Sequence, residues 1–199
     1  MKKKFQKITA AAQRGFTLIE LVVVVAILGV LIAIVAPNVI GTKDGANAQL
    51  LIKTAQNIST NWSLLNQSCG TSSAISGHPL NDGTNTLEDV IFTGPTKVNS
   101  TYENCYKQSK ILALTEVAQP GAAGKYNVAG YAVSFAGGGN AAMEITYAKV
   151  PENVILLIAQ KYDPNFKASD LVSAGGTIGG AIKYGAISGT GDLTFLKQI

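Results

Sequence analysis

From Leu21 to Thr42 the chain runs 22 residues without a charged side chain, and Val22, Val23, Val24 and Val25 stand in a row within it. A helix of that length rises roughly 33 Å at about 1.5 Å per residue, enough to cross the ~30 Å hydrocarbon core of a bilayer. β-Branched residues lower helix propensity in water. In lipid that argument loses, because a lone strand leaves its backbone groups unpaired while a helix satisfies them within the segment. Lys2, Lys3, Lys4, Lys7 and Arg14 all precede the run, with Gly15 between charge and apolar sequence. Positive charge on that side holds the N-terminus in the cytoplasm and sends everything beyond residue 42 outward. A secretory signal is cut after its apolar region, at small residues. Here Pro37 and Asn38 lead into helix-compatible sequence instead, so the apolar segment is expected to stay and the basic segment before it to be removed.

That expectation changes how the charge is read. Of the 16 Lys and Arg, five lie at or before Arg14; without them 11 face 12 acidic residues, a balance of −1. The basic character is mostly leader and gives no argument for nucleic-acid binding. The 199 residues leave room for one globular domain beyond the helix. Cys69 and Cys105 both fall in that outward part, where an oxidising compartment permits a disulfide. Two free thiols are the alternative; the bridge is the expectation, with a contribution of roughly 4 kcal/mol in the chain-entropy picture.

Along the chain, Pro37 removes a backbone donor and is expected to kink the helix, with Gly41 and Gly45 marking residues 36–46 as its loosest part. Helix then resumes. Ala48, Leu51, Ala55, Ile58, Trp62 and Leu65 recur at spacings of three and four, a stripe along one face as far as about residue 66. Ser68–Ser73 has loop composition. Residues 70–101 read as an irregular connection around one apolar island, Leu87–Phe92, a short helix or strand. Ile111–Val117 reads as a strand, ended by Pro120-Gly121. Asn127–Phe135 and Ala142–Lys149 read as a hairpin about Gly137-Gly138-Gly139-Asn140. Pro151-Glu152 suits a helix start, Val154–Gln160 its body and Asp163-Pro164-Asn165 its stop. Ile178–Ile187 and Leu193–Ile199 are strand candidates either side of a Ser-Gly-Thr-Gly turn. The fold class is α+β: one long N-terminal helix, apolar then amphipathic, packed on a small antiparallel sheet.

Catalytic readings find little support. The single histidine, His78, lies in a Ser-Gly-His-Pro stretch that reads as a solvated loop. One histidine and two bridged cysteines cannot assemble a zinc site, so no metal and no cofactor is expected. Gly121–Tyr126 superficially resembles a phosphate loop, but it is too short between glycines and ends in Tyr126 where Ser or Thr is needed. Asn57, Asn61, Asn66 and Asn99 each open an Asn-x-Ser/Thr triplet, a weak signal that depends on the host's glycosylation machinery.

Gly15-Phe16-Thr17-Leu18-Ile19-Glu20, between basic leader and apolar run, resembles the class III signal of type IV prepilins. Gly29 and Pro37 fall where pilin helices commonly carry glycine and a kinking proline. The likeness covers about residues 14–62. It implies the pilin fold, in three parts: leader 1–15, transmembrane and assembly helix 16–42, and outward globular domain 43–199. It implies cleavage between Gly15 and Phe16 by a membrane prepilin peptidase, with N-methylation of Phe16. It implies an inner-membrane precursor, and partners in a platform protein, an assembly ATPase and further pilins, the chain itself foremost. The product is then a surface filament serving adhesion, motility, conjugation or DNA uptake. The alternatives are a minor pilin, a pseudopilin of type II secretion or, further off, a membrane-anchored enzyme or binding module. The strand–Val-Pro–helix passage Ile145–Leu157 is similar to the type IVb, conjugative branch. Phe16 and the lack of a cysteine after Cys105 fit that branch less well.

Within that resemblance Glu20 carries the chemistry. A carboxylate in an apolar helix is costly, by roughly 2.5–3.5 kcal/mol at mid-bilayer on lenient scales. It gains from a helix N-terminus, and a residue merely tolerated at the interface is the alternative. Cleavage after Gly15 would create an amine on Phe16, one helical turn away on the same chain or on a neighbour. Glu20 paired with that amine would set subunit register.

Overall fold

The computed structural model describes residues 17–115, 117–120, 126–138 and 142–198, and at 33–42, 118–120, 138 and 142 the backbone alone. The leader, Gly15 and Phe16 lie outside the described residues. The chain divides into two compact units, Met1–Gly41 and Thr42–Ile199.

Helix α1 spans Leu18–Cys69, 52 residues, with continuous helical backbone through Pro37, Gly41 and Gly45. The loosening expected at 36–46 therefore does not interrupt the helix. Proline still lacks the N–H that would reach the carbonyl four residues upstream. In the first unit every described side chain of α1 is exposed, from Leu18 at 82% to Val23 at 50% and Ile32 at 65%. Among the described residues no helix is long and apolar enough to cross a membrane. The part of the uncharged run described in full, Leu21–Ile32, has 12 residues, about 18 Å of helix against a core of about 30 Å. The remainder of the run has helical backbone and undescribed side chains.

The second unit is built on the other half of α1. Ala48, Leu51, Ala55, Ile58, Trp62 and Leu65 are all buried, and Gln49, Lys53 and Gln56 face solvent. The three-four spacing thus becomes one buried stripe. It belongs to a single core with a seven-stranded antiparallel sheet of order β1-β2-β3-β4-β7-β6-β5. The strands are β1 Ala118–Pro120, β2 Tyr126–Val128, β3 Tyr131–Gly138, β4 Ala142–Pro151, β5 Gly176–Ile178, β6 Ile182–Tyr184 and β7 Thr190–Gln198. Met143, Ile145 and Tyr147 of β4 alternate inward with Val133 of β3 and Leu193 and Phe195 of β7. Two buried polar groups fasten helix to surroundings. The Tyr147 hydroxyl donates to the Leu51 carbonyl at 3.3 Å, and the Trp62 indole donates to the Ser73 carbonyl at 2.9 Å. Burial holds the Tyr147 hydroxyl far above the usual phenol range, so it stays a donor.

Several elements depart from the sequence expectation. Asn127–Phe135 is not one strand: Ala129 and Gly130 take positive φ, 55° and 87°, and fold β2 back on β3 in a two-residue turn. Residues 111–115 are not strand. Leu114 donates its amide to the Ile91 carbonyl, and Asn61 of α1 donates to the Leu112 carbonyl, so the segment is held by cross-links to two helices rather than by a ladder. The strand in this part is the three-residue β1 that follows. The apolar island is helix α2, Leu87–Phe92, started by a capping box between Thr86 and Asp89. Helix α3, Glu103–Ser109, carries Cys105, and α4, Glu152–Tyr162, runs straight out of β4. Edge strand β5 packs closely at its one glycine: a Cβ on Gly176 would sit 2.7 Å from the Tyr184 hydroxyl.

Cys69 and Cys105 are joined, with Cα atoms 5.0 Å apart and a sequence separation of 36. The bridge ties the last residue of α1 to α3. Replacing both with Ser is expected to lower unfolding free energy by about 4 kcal/mol. Denaturant unfolding of the full chain, with and without reductant, measures it; equal midpoints would mean the loop gains nothing from closure.

Candidate assembly and processing site

The described part of the site begins at Thr17. The Thr17 amide and hydroxyl both donate to Glu20 Oε2, at 2.9 and 2.8 Å, and the Glu20 amide donates back to Thr17 Oγ1 at 3.3 Å. This is a capping box, with Thr17 as N-cap and Glu20 three residues on. It satisfies donors that the first turn of a helix otherwise leaves open. The sequence carried its signature, Thr-x-x-Glu before an apolar run, and Thr17 is the site residue that the sequence reading passed over. Glu20 is thus held by its own chain at the very start of α1, where a negative charge meets the positive end of the helix dipole. Ile19, Val23 and Val24 lie around it, all of them exposed.

This end of α1 can do two things chemically. It presents one fixed carboxylate to a cation approaching the helix start. It also offers a charge-free, ridged rod to lipid or to another helix. Any Phe16 amine falls outside the described residues, so its pairing with Glu20 is taken up as a proposal below.

The sequence around this site matches the Prokaryotic N-terminal methylation motif over residues 10–36. Over those residues the N-terminal segment is similar to that of a type IV pilin-like prepilin. Relatives point the same way over short stretches. The chain is 49% identical to the type II secretion system core protein G of Klebsiella michiganensis over 41 residues, 21% of this chain and 29% of the relative. It is 52% identical to the protein of that name from Klebsiella pneumoniae over 40 residues, 20% and 29% of the two chains. For Escherichia coli the identity is 54% over 37 residues, 19% and 26%. The matches therefore span under a third of those relatives' own length. No solved structure matches the chain.

Away from this prepilin segment the structure corrects one reading. His78 is not a solvated loop residue; it is 2% exposed. Its ring lies 4.5 Å from that of Trp62, centroid to centroid, and it bonds Asn66 Oδ1 at 2.8 Å. The surrounding Ser, Gly and Pro describe the backbone of the loop correctly but say nothing of which way an imidazole turns. Asn66 is buried with it, which removes that Asn-x-Ser triplet as a glycan acceptor.

Thr17→Ala is expected to open the first turn of α1. In micelles the Glu20 amide, which Thr17 Oγ1 accepts, should exchange with solvent several-fold faster, and Thr17→Ser should restore it. Unchanged exchange in Thr17→Ala would mean the cap contributes nothing there.

Proposed function

We propose that the chain is a structural subunit of a pilus-like filament, made as an inner-membrane precursor and polymerised after its leader is removed. The observation that carries this reading is that every described apolar side chain of α1 from Leu18 to Ile32 is exposed, while the second unit has a core of its own. Such a surface needs cover. Lipid and a bundle of like helices are similarly apolar, so the segment can pass from one to the other at little cost. A membrane-anchored enzyme or binding module requires the first covering only, and has no use for a fixed carboxylate beside a processing motif.

In this reading residues 1–15 are the leader, 16–42 the membrane and assembly segment, and 43–199 the outward domain. A prepilin peptidase cuts between Gly15 and Phe16, and the new Phe16 amine is methylated while keeping its charge. Glu20, already fixed by Thr17, receives the amine of a neighbouring subunit in a low-dielectric bundle. A lone charge left there is strongly unfavourable, which makes register all-or-none. Pro37 is the place where the helix yields during packing, since one backbone bond is already missing. Partners are the chain itself, the peptidase, and a platform protein with its assembly ATPase. The role is structural, not catalytic.

Two filament types remain in play. The short relatives are named as type II secretion core proteins, which favours a pseudopilus. The disulfide-closed loop and the larger outward domain favour a surface pilus, with a minor pilin as its variant.

Glu20→Ala is expected to insert in the membrane at wild-type level and yield no filaments. Mass spectrometry of filament protein should show a chain starting at Phe16 and carrying one methyl group. Normal filaments from Glu20→Ala, or a mature chain that begins elsewhere, would overturn the reading. Sheared surface fibres rich in the chain indicate a pilus; fibres confined to the periplasm indicate a pseudopilus.

A further inference from the structure

We propose that His78 is a pH-sensitive latch: neutral, it fastens residues 70–80 onto α1 through Asn66 and Trp62, and on protonation it lets that segment go. The hydrogen bonds around the ring determine its state. The Leu80 amide donates to His78 Nδ1 at 3.2 Å, and a backbone N–H has no other role than donor. Nδ1 must therefore keep its lone pair, and the one ring proton sits on Nε2, which donates to Asn66 Oδ1. Asn66 cannot turn round to suit a different ring. Its Nδ2 donates to the Trp62 carbonyl at 2.9 Å, while its Oδ1 also accepts from the Thr71 hydroxyl at 2.7 Å. Every position is taken, and all of them are taken by a neutral imidazole.

A second proton would have to go on Nδ1, facing the Leu80 N–H. It would place a charge in a buried site and break the Leu80 bond at once. Among the described residues no carboxylate forms an ion pair with His78. Between Lys53 and Asp82 the sequence holds no ionisable side chain except His78 and the bridged Cys69. Asp82 is exposed, and its Oδ1 accepts from the Thr84 and Asn85 amides. On the α3 side Glu103 is paired with Lys107. Burial accordingly holds His78 below the ordinary imidazole range, an effect that the nearby Ser72 backbone offsets only in part. The open segment binds a proton more readily than the closed one. The closed state is therefore fully favoured above about pH 6.5 and loses ground as pH falls from there to the lower folded value. What would be uncovered is Trp62, together with Ile75 and Leu80, which the segment brings to the core. The disulfide at Cys69 limits the opening to a local one.

The chain has one tryptophan and one histidine, so each reports without interference. In the full chain in detergent micelles, Trp62 emission should change reversibly between neutral pH and about pH 4.5, with a midpoint under about 6.5. Within that interval protection of the Leu80 amide, corrected for intrinsic exchange, should fall about tenfold per pH unit. His78→Gln can still donate to Asn66 but carries no ionisable ring, and should abolish both effects. A wild-type signal flat across the range, or the same transition in His78→Gln, overturns the latch. Should His78→Gln fail to fold, nitrogen-15 NMR of the single wild-type imidazole decides. An unprotonated Nδ1 at neutral pH, titrating together with Leu80 protection, supports the latch. A ring that titrates while protection stays constant overturns it.

Discussion

The stripe Leu51-Ala55-Ile58-Trp62-Leu65 is the constraint on which the second unit rests. Each of these residues is fully buried, and each sits one helical turn from the next. They give the sheet a continuous wall to close against, and strands β3, β4 and β7 answer with side chains of alternating direction. Trp62 does more than fill space. Its indole must find an acceptor when buried, and the Ser73 carbonyl supplies it, so the turn after the helix is folded back along α1 by the same residue that anchors the core. The Leu51 carbonyl plays the matching part at the other end by accepting from Tyr147. Helix and sheet are thus joined by packing along their length and by directional bonds at two points.

The same helix obeys opposite rules in its two halves. Beyond residue 42 one face is apolar and the rest polar, which suits one buried side and one wet side. Before it, apolar residues occupy every face, which suits an environment without water on any side. A single secondary structure carries both because backbone bonding within the helix is indifferent to its surroundings. The capping box at Thr17 and Glu20 finishes the helix start with local bonds, leaving its flanks free for other surfaces.

Legibility in the sequence followed the range of the interactions. The stripe, the β3–β4 hairpin and α4 are encoded by neighbours in sequence, and local periodicity and turn residues expose them. The pairing of Cys69 with Cys105 was legible from compartment and number alone. Three features were not. The Ala129-Gly130 turn hid inside an apolar run because alanine seldom takes positive φ, and only the close return of β2 on β3 makes it do so. Residues 111–115 alternate like a strand, yet cross-links to Ile91 and Asn61, distant in sequence, decide their path. His78 looked wet because its neighbours are small and polar; what buries it is Trp62, sixteen residues earlier. The site itself was only half read: Glu20 was singled out, while Thr17, which holds it, needed the capping rule applied at the edge of an apolar run.

The covalent tie between the end of α1 and α3 has a mechanical meaning. A pull transmitted along α1 reaches Cys69 and can cross to Cys105 through sulfur, leaving the peptide between them slack. With a sequence separation of 36 bypassed, about 120 Å of extensible contour is removed from the load path. The loop bearing α2 can then loosen or re-dock under tension without lengthening the molecule. Compliance of the loop and stiffness of the rod are uncoupled by one bond.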